Sequence, residues 1–324
     1  MTAHKLFAGT TVSLTPASVP VVLQRGLIPA FILILALFGG CAKKPVTGIT
    51  GIKASSYGEL ERYLLSRPAD LETFKVRGPF PVDVRENREL LLPAGERVAG
   101  DLYLAEHGNK APLVILLHGY GNTKTDHGYQ AMHLATWGLH ALALQLPQQG
   151  PWSDNGRTLG RVADALQKNP ELLDRHIDGG KIVVAGHSFG GSSVAIAMGS
   201  GAPVLGGILL DPAIADGDLR TALGKINKPV ILIGADEYVS EAVGRSYYFN
   251  YMRRGIHEIS IRDAEHEDAT FSMDMVGITG EQLMFISTLT AASFSLASTG
   301  RPDYAWTSFE KAIAAGTIVN PRKK

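Results

Sequence analysis

The chain has 324 residues and one cysteine, Cys41, so no disulfide can close within it. It has no excess charge of either sign, with 31 Lys and Arg against 31 Asp and Glu. No global field therefore favours nucleic acid, and the basic ending Pro321-Arg322-Lys323-Lys324 reads as a solvated tail. No phosphate-cradling Gly-Lys-Ser/Thr loop and no His-Glu-x-x-His zinc helix occurs, and Gly119-Tyr120-Gly121-Asn122-Thr123-Lys124 lacks the third glycine of a dinucleotide fingerprint. The acids Glu265, Glu267 and Asp268 read as a solvated loop, which leaves no expected metal site.

At 45% hydrophobic and 19% charged, the chain can bury a substantial core. Its N-terminus differs in composition. Arg25 precedes the apolar run 27–38, which is short of the roughly 20 residues of a spanning helix but fits the h-region of an export signal. Gly39-Gly40-Cys41 follows and resembles a bacterial lipobox, with Phe38 where that box usually carries leucine. The expected organisation is a leader over 1–40, a lipidated Cys41 and tether over 41–56, and a single domain over 57–324. A chain of this kind is exported and held on a membrane of the bacterial envelope by its lipid, since several acyl chains anchor far better than one.

Two strand-like segments, 82–92 and 98–104, flank the turn Leu92-Pro93-Ala94-Gly95-Glu96 and predict an antiparallel hairpin at a sheet edge. Strands over 112–117, 139–144, 182–185, 204–210, 230–233 and 256–261 then alternate with helices over 130–137, 159–167, 192–198 and 241–253. This alternation predicts an α/β fold with a mostly parallel sheet and helices on both faces. Helical spacing over 281–298 and 303–315 closes the chain. The short connection between Asp211 and Val230 leaves no room for a large lid, so an open groove is expected.

The strand Ile182-Val183-Val184-Ala185 runs into Gly186-His187-Ser188-Phe189-Gly190-Gly191 and then a small-residue helix. A serine at such a strand-to-helix turn is lifted above the sheet by a strained backbone, which makes Ser188 a candidate nucleophile. A base, an orienting acid and two oxyanion donors should then stand at the carboxyl ends of other strands. His266, after the last parallel strand and downstream of the serine, is the candidate base. His118 is assigned to holding the loop after its strand. The oxyanion donors are the backbone N–H groups of Phe189 and Tyr120. Two acids compete, Asp211 at the end of Leu209-Leu210-Asp211-Pro212 and Asp236 after the next strand. The abrupt stop before Pro212 favours Asp211. Trp152 and Tyr238 are candidates for lining the groove.

These motifs, together with Leu117-His118-Gly119-Tyr120 and Leu134-Ala135-Thr136-Trp137-Gly138-Leu139, resemble the α/β-hydrolases. Within them they are similar to the chlorophyllase and platelet-activating-factor acetylhydrolase group and to polyester-degrading cutinases, over about 82–271. The resemblance implies a serine carboxylic ester hydrolase that works through an acyl-enzyme, needs no cofactor, and acts on a small-molecule or lipid-like ester. In the first two families the acid follows the strand after the nucleophile helix, which carries onto Asp211. In cutinases it follows the next strand, near Asp236. Acyl transfer, thioester or peptide cleavage by the same triad, and a non-catalytic surface-anchored binding protein, are the alternatives. The sequence leaves the oligomeric state open.

Overall fold

A computed structural model describes residues 51–67, 70–93, 95–215, 217–237, 244–274 and 276–324. The expected leader, Cys41 and Tyr238 lie outside these residues. The described strands are β1 (Val82–Leu91), β2 (Arg97–Ala105), β3 (Ala111–Leu117), β4 (His140–Leu144), β5 (Ile177–His187), β6 (Gly206–Leu210), β7 (Val230–Ala235), β8 (Ile256–Ile261) and β9 (Ile318–Lys323). They form one sheet in the order β1-β2-β4-β3-β5-β6-β7-β8-β9. The six strands from β4 to β8 in that order run parallel, while β1, β2 and β9 pair antiparallel at the two edges.

The parallel strands are covered on both faces, which explains why they read as unbroken apolar runs. In β3 every residue of Ala-Pro-Leu-Val-Ile-Leu-Leu is buried. Alternation splits its side chains, with Val114 and Leu116 facing one layer and Leu113, Ile115 and Leu117 the other. The first layer holds α1 (Tyr57–Leu65), α2 (Leu71–Phe74), α3 (Gly128–Thr136), α8 (Gly280–Thr299) and α9 (Asp303–Ala315). The second holds α4 (Trp152–Lys168), α5 (Phe189–Gly199), α6 (Leu219–Leu223) and α7 (Arg245–Tyr251).

Helix α8 is buried almost along its whole length despite its serines and threonines. Its Thr288 and Thr290 hydroxyls donate to the carbonyls of Met284 and Ile286, at 2.8 and 2.7 Å. That bonding pattern satisfies polar atoms inside a core. The Thr279 and Gln282 side chains box its first turn, and Gly300 at φ 64° ends it.

The basic ending is not a solvated tail. It forms β9, because Arg322 places two guanidinium nitrogens 2.9 Å from the carboxylate of Glu258, a buried residue of β8. The end of the expected tether is also packed, with Ile52 and Ala54 lying against the core. Helix α4 begins at Trp152, earlier than expected, directly after Pro151. Between β6 and β7 the described residues contain only the short helix α6.

Candidate active site

The end of β5 and the start of α5 meet at Ser188, whose φ of 53° and ψ of −124° belong to a region L-residues rarely occupy. The turn is held from outside. Ser188 donates its N–H to the Leu210 carbonyl on β6 at 3.0 Å, and a Cβ on Gly186 would lie 2.4 Å from the Gly190 carbonyl oxygen. Ser188 remains 7% accessible.

The loop after β3 passes directly over the serine. A Cβ on Gly119 would stand 2.8 Å from Ser188 Cβ and 3.4 Å from its Oγ. His118 fixes this loop: its Nδ1–H donates to the Gly119 carbonyl at 2.9 Å, and its Nε2 accepts from the Leu146 N–H at 3.1 Å. Burial lowers the His118 pKa, which suits a neutral ring with one donor and one acceptor. The same loop is tied to β2 by Lys124, whose Nζ lies 2.6 Å from both carboxylate oxygens of the buried Asp101. Phe189 is the first residue of α5, so its N–H has no partner within the helix. Tyr120 and Phe189 thus sit in two backbones that converge beside Ser188.

Asp211 directly follows β6 at φ 37° and is 2% exposed. One carboxylate oxygen accepts the Ala235 N–H at 3.0 Å, and the other lies 2.7 Å from Nδ1 of His266. Asp236 is placed differently, 3.3 Å from the Asn320 amide nitrogen. Of the two candidate acids, Asp211 is the one brought to His266.

His266 opens a short 3-10 turn, His266–Ala269, after β8. His187, the residue before Ser188, donates from Nε2 to the His266 carbonyl at 3.0 Å, and the two rings lie 4.4 Å apart. This contact brings the His266 turn beside the serine turn. His187 is fully enclosed and its Nδ1 has no partner among the described residues; burial drives its pKa well below the ordinary value, so the ring stays neutral.

Two residues that the sequence did not single out link this turn to the end of β3. Gln130 on α3 donates to the Ala269 carbonyl at 2.8 Å, and His127 bonds to the Leu117 carbonyl at the end of β3 at 3.1 Å. Their only signal in the sequence is a pair of polar residues three apart where α3 begins.

Trp152 is 9% exposed and stacks on Phe189 with ring centres 5.1 Å apart and planes 8° apart. It packs against the first residue of α5. Tyr120, by contrast, projects outward with 69% of its surface exposed. Among the described residues no group of three or more His, Cys, Asp or Glu is placed to hold a metal ion.

A family model described as Alpha/beta hydrolase family matches residues 114–314, well over half of the chain. The chain belongs to the alpha/beta hydrolase family. The match begins within β3 and ends within α9, so it spans Ser188, Asp211 and His266 together. No curated protein matches the chain.

Proposed function

We propose that this alpha/beta hydrolase is a serine carboxylic ester hydrolase with Ser188 as nucleophile, His266 as base and Asp211 as orienting acid. The observation that carries this reading is the 2.7 Å bond between Asp211 and His266 Nδ1, on a turn whose carbonyl is held by the residue next to Ser188. A carboxylate at Nδ1 fixes the imidazole with its Nε2 free to accept a proton.

In the proposed reaction His266 Nε2 takes the Ser188 hydroxyl proton while Oγ bonds to the ester carbonyl carbon. The carbonyl oxygen becomes an oxyanion facing the N–H groups of Tyr120 and Phe189. Collapse breaks the bond to the alcohol, which leaves with the proton from His266. Water, deprotonated by the same imidazole, then attacks the acyl-enzyme and frees Ser188. Each oxyanion donor in such a site is worth about a hundred- to a thousandfold in rate, which accounts for the dense bracing of the Gly119 loop. Placement of the acid on β6 follows the chlorophyllase and platelet-activating-factor acetylhydrolase pattern, and supports a small or lipid-like ester as substrate.

The test is hydrolysis of p-nitrophenyl acetate and butyrate by the wild type and Ser188→Ala. Loss of the nucleophile is expected to lower kcat by roughly 10⁴-fold or more. Equal rates in the two proteins would overturn the reading.

We further propose that Cys41 carries the lipid that holds the protein on an envelope membrane, on the strength of the apolar run 27–38 and the small residues before Cys41. Cys41→Ser is then expected to move the protein from the membrane fraction to the soluble fraction.

A further inference from the structure

Behind the acid, on the side away from His266, lies a cation with no part in the scheme above. Arg245 begins α7 and extends across β7 to reach both neighbouring strands. Its path explains Gly234, where a Cβ would fall 2.2 Å from the Arg245 Cδ. Its Nη1 bonds to Ser260 Oγ on β8, and its Nε lies 3.9 Å from Asp211 Oδ1 at the end of β6. That last separation is too long for a hydrogen bond and within the range of a direct charge interaction. The guanidinium therefore faces the carboxylate oxygen that His266 does not use.

A surface cavity of about 370 Å³ opens on the same guanidinium, lined also by Ser246, Glu258, Ser260, Asn320 and Arg322. Glu258 is already paired with Arg322, which leaves the Arg245 charge directed at Asp211.

We propose that Arg245 is a positioning residue for the hydrolase, its guanidinium standing against the Asp211 oxygen that His266 does not use and holding the carboxylate in place as the acceptor for His266. The need for it is physical. A carboxylate removed from water loses its solvation, and among the described residues its hydrogen bonds come from one backbone N–H and one imidazole, which replace only part of it. A cation beside the carboxylate offsets that loss at every stage of the cycle, whereas the imidazolium exists only transiently. The inference rests on the triad reading, and its test separates the two.

In the full-length protein, Arg245→Ala is expected to lower kcat about ten- to a hundredfold with KM within about twofold, because the substrate touches neither Arg245 nor Asp211. Arg245→Lys is expected to recover most of the loss. The cavity lets a small cation reach the vacated position, so millimolar guanidinium is expected to restore part of kcat in Arg245→Ala, while urea, of the same shape and no charge, does not. Equal responses to guanidinium and urea, or a wild-type kcat in Arg245→Ala, would overturn the proposal. A second readout needs no turnover: the downfield proton resonance of the His266 Nδ1–H, assigned by its loss in His266→Ala. It is expected to weaken in Arg245→Ala and return with guanidinium. If the resonance responds in this way while wild type and Ser188→Ala hydrolyse esters at equal rates, the esterase reading fails and the role of Arg245 stands; a resonance indifferent to Arg245 would refute it.

Discussion

Ser188 and Asp211 both hold positive φ, at 53° and 37°, and each sits one residue past the end of a parallel strand. Such conformations cost about 1–3 kcal/mol apiece and persist only where surrounding structure imposes them. Here Ser188 N–H bonds to the Leu210 carbonyl, so the two strained residues restrain one another through β6. The acid assignment gives a sharp contrast. Asp211→Asn replaces the acceptor at His266 Nδ1 by an amide that also stabilises the wrong tautomer, and kcat is expected to fall by roughly 10²- to 10⁴-fold. Asp236→Asn touches, among the described residues, the Asn320 contact and is expected to leave kcat within about twofold. Comparable losses in both would refute this assignment. At Gly119, an added methyl would press on the Ser188 Cβ at 2.8 Å and move the loop that carries the Tyr120 N–H. Gly119→Ala should therefore cost at least about tenfold in kcat. Unchanged kcat would show that the loop can shift without consequence.

The elements that position the site were legible in the sequence because they lie where burial is complete. Strands β3, β5, β6, β7 and β8 announce themselves as apolar runs, and position after a strand selects His118, Ser188 and His266 but leaves two acids, Asp211 and Asp236, which only the contact with His266 tells apart. What was not legible depends on partners distant in the chain. Ile318–Lys323 contains a proline and two basic residues, and it becomes a strand only because β8 offers an open edge and Glu258 a buried charge. Gln130 and Arg245 carry no local pattern, since their meaning comes from Ala269 and Asp211.

The helices and strands around the site also bury an unusual set of histidines. Burial lowers the pKa of His118, His127 and His187, and brings His133 on α3 and His140 on β4 down from 6.5 to about 4. These rings are neutral in the folded protein but bind protons near pH 6.5 once unfolded. The unfolded state therefore gains protons first as pH falls, and stability drops. It should be level above about pH 7 and fall between pH 6.5 and 4, with His133 and His140 each removing about 1.4 kcal/mol per pH unit through that window. Thermal midpoints from pH 7.5 to 4.5 test this; a flat profile between 7 and 5 would show that the rings take up protons without unfolding.

On the scale of the whole molecule, the sheet is closed at each side by antiparallel strands, and the side nearest the proposed triad depends on the last residues of the chain. β9 pairs with β8, whose C-terminal end leads into His266. Lys324 accepts the Gly255 N–H and donates its own to Ile256. Asn320 reaches Asp236, and Arg322 neutralises Glu258, a carboxylate only 3% exposed. A buried carboxylate left without its partner is destabilising by about 3–5 kcal/mol, reduced here because the Arg322 side chain is partly exposed. Arg322→Ala is accordingly expected to lower stability by about 1–3 kcal/mol in urea unfolding, with no loss of kcat below the transition. Glu258→Gln in the same background removes the unpaired charge and should recover part of the loss, because the cost lies in that charge and not in the missing contact. If the double variant is as unstable as Arg322→Ala alone, the strand owes its place to backbone pairing and apolar burial at Ile318, and the ion pair is incidental.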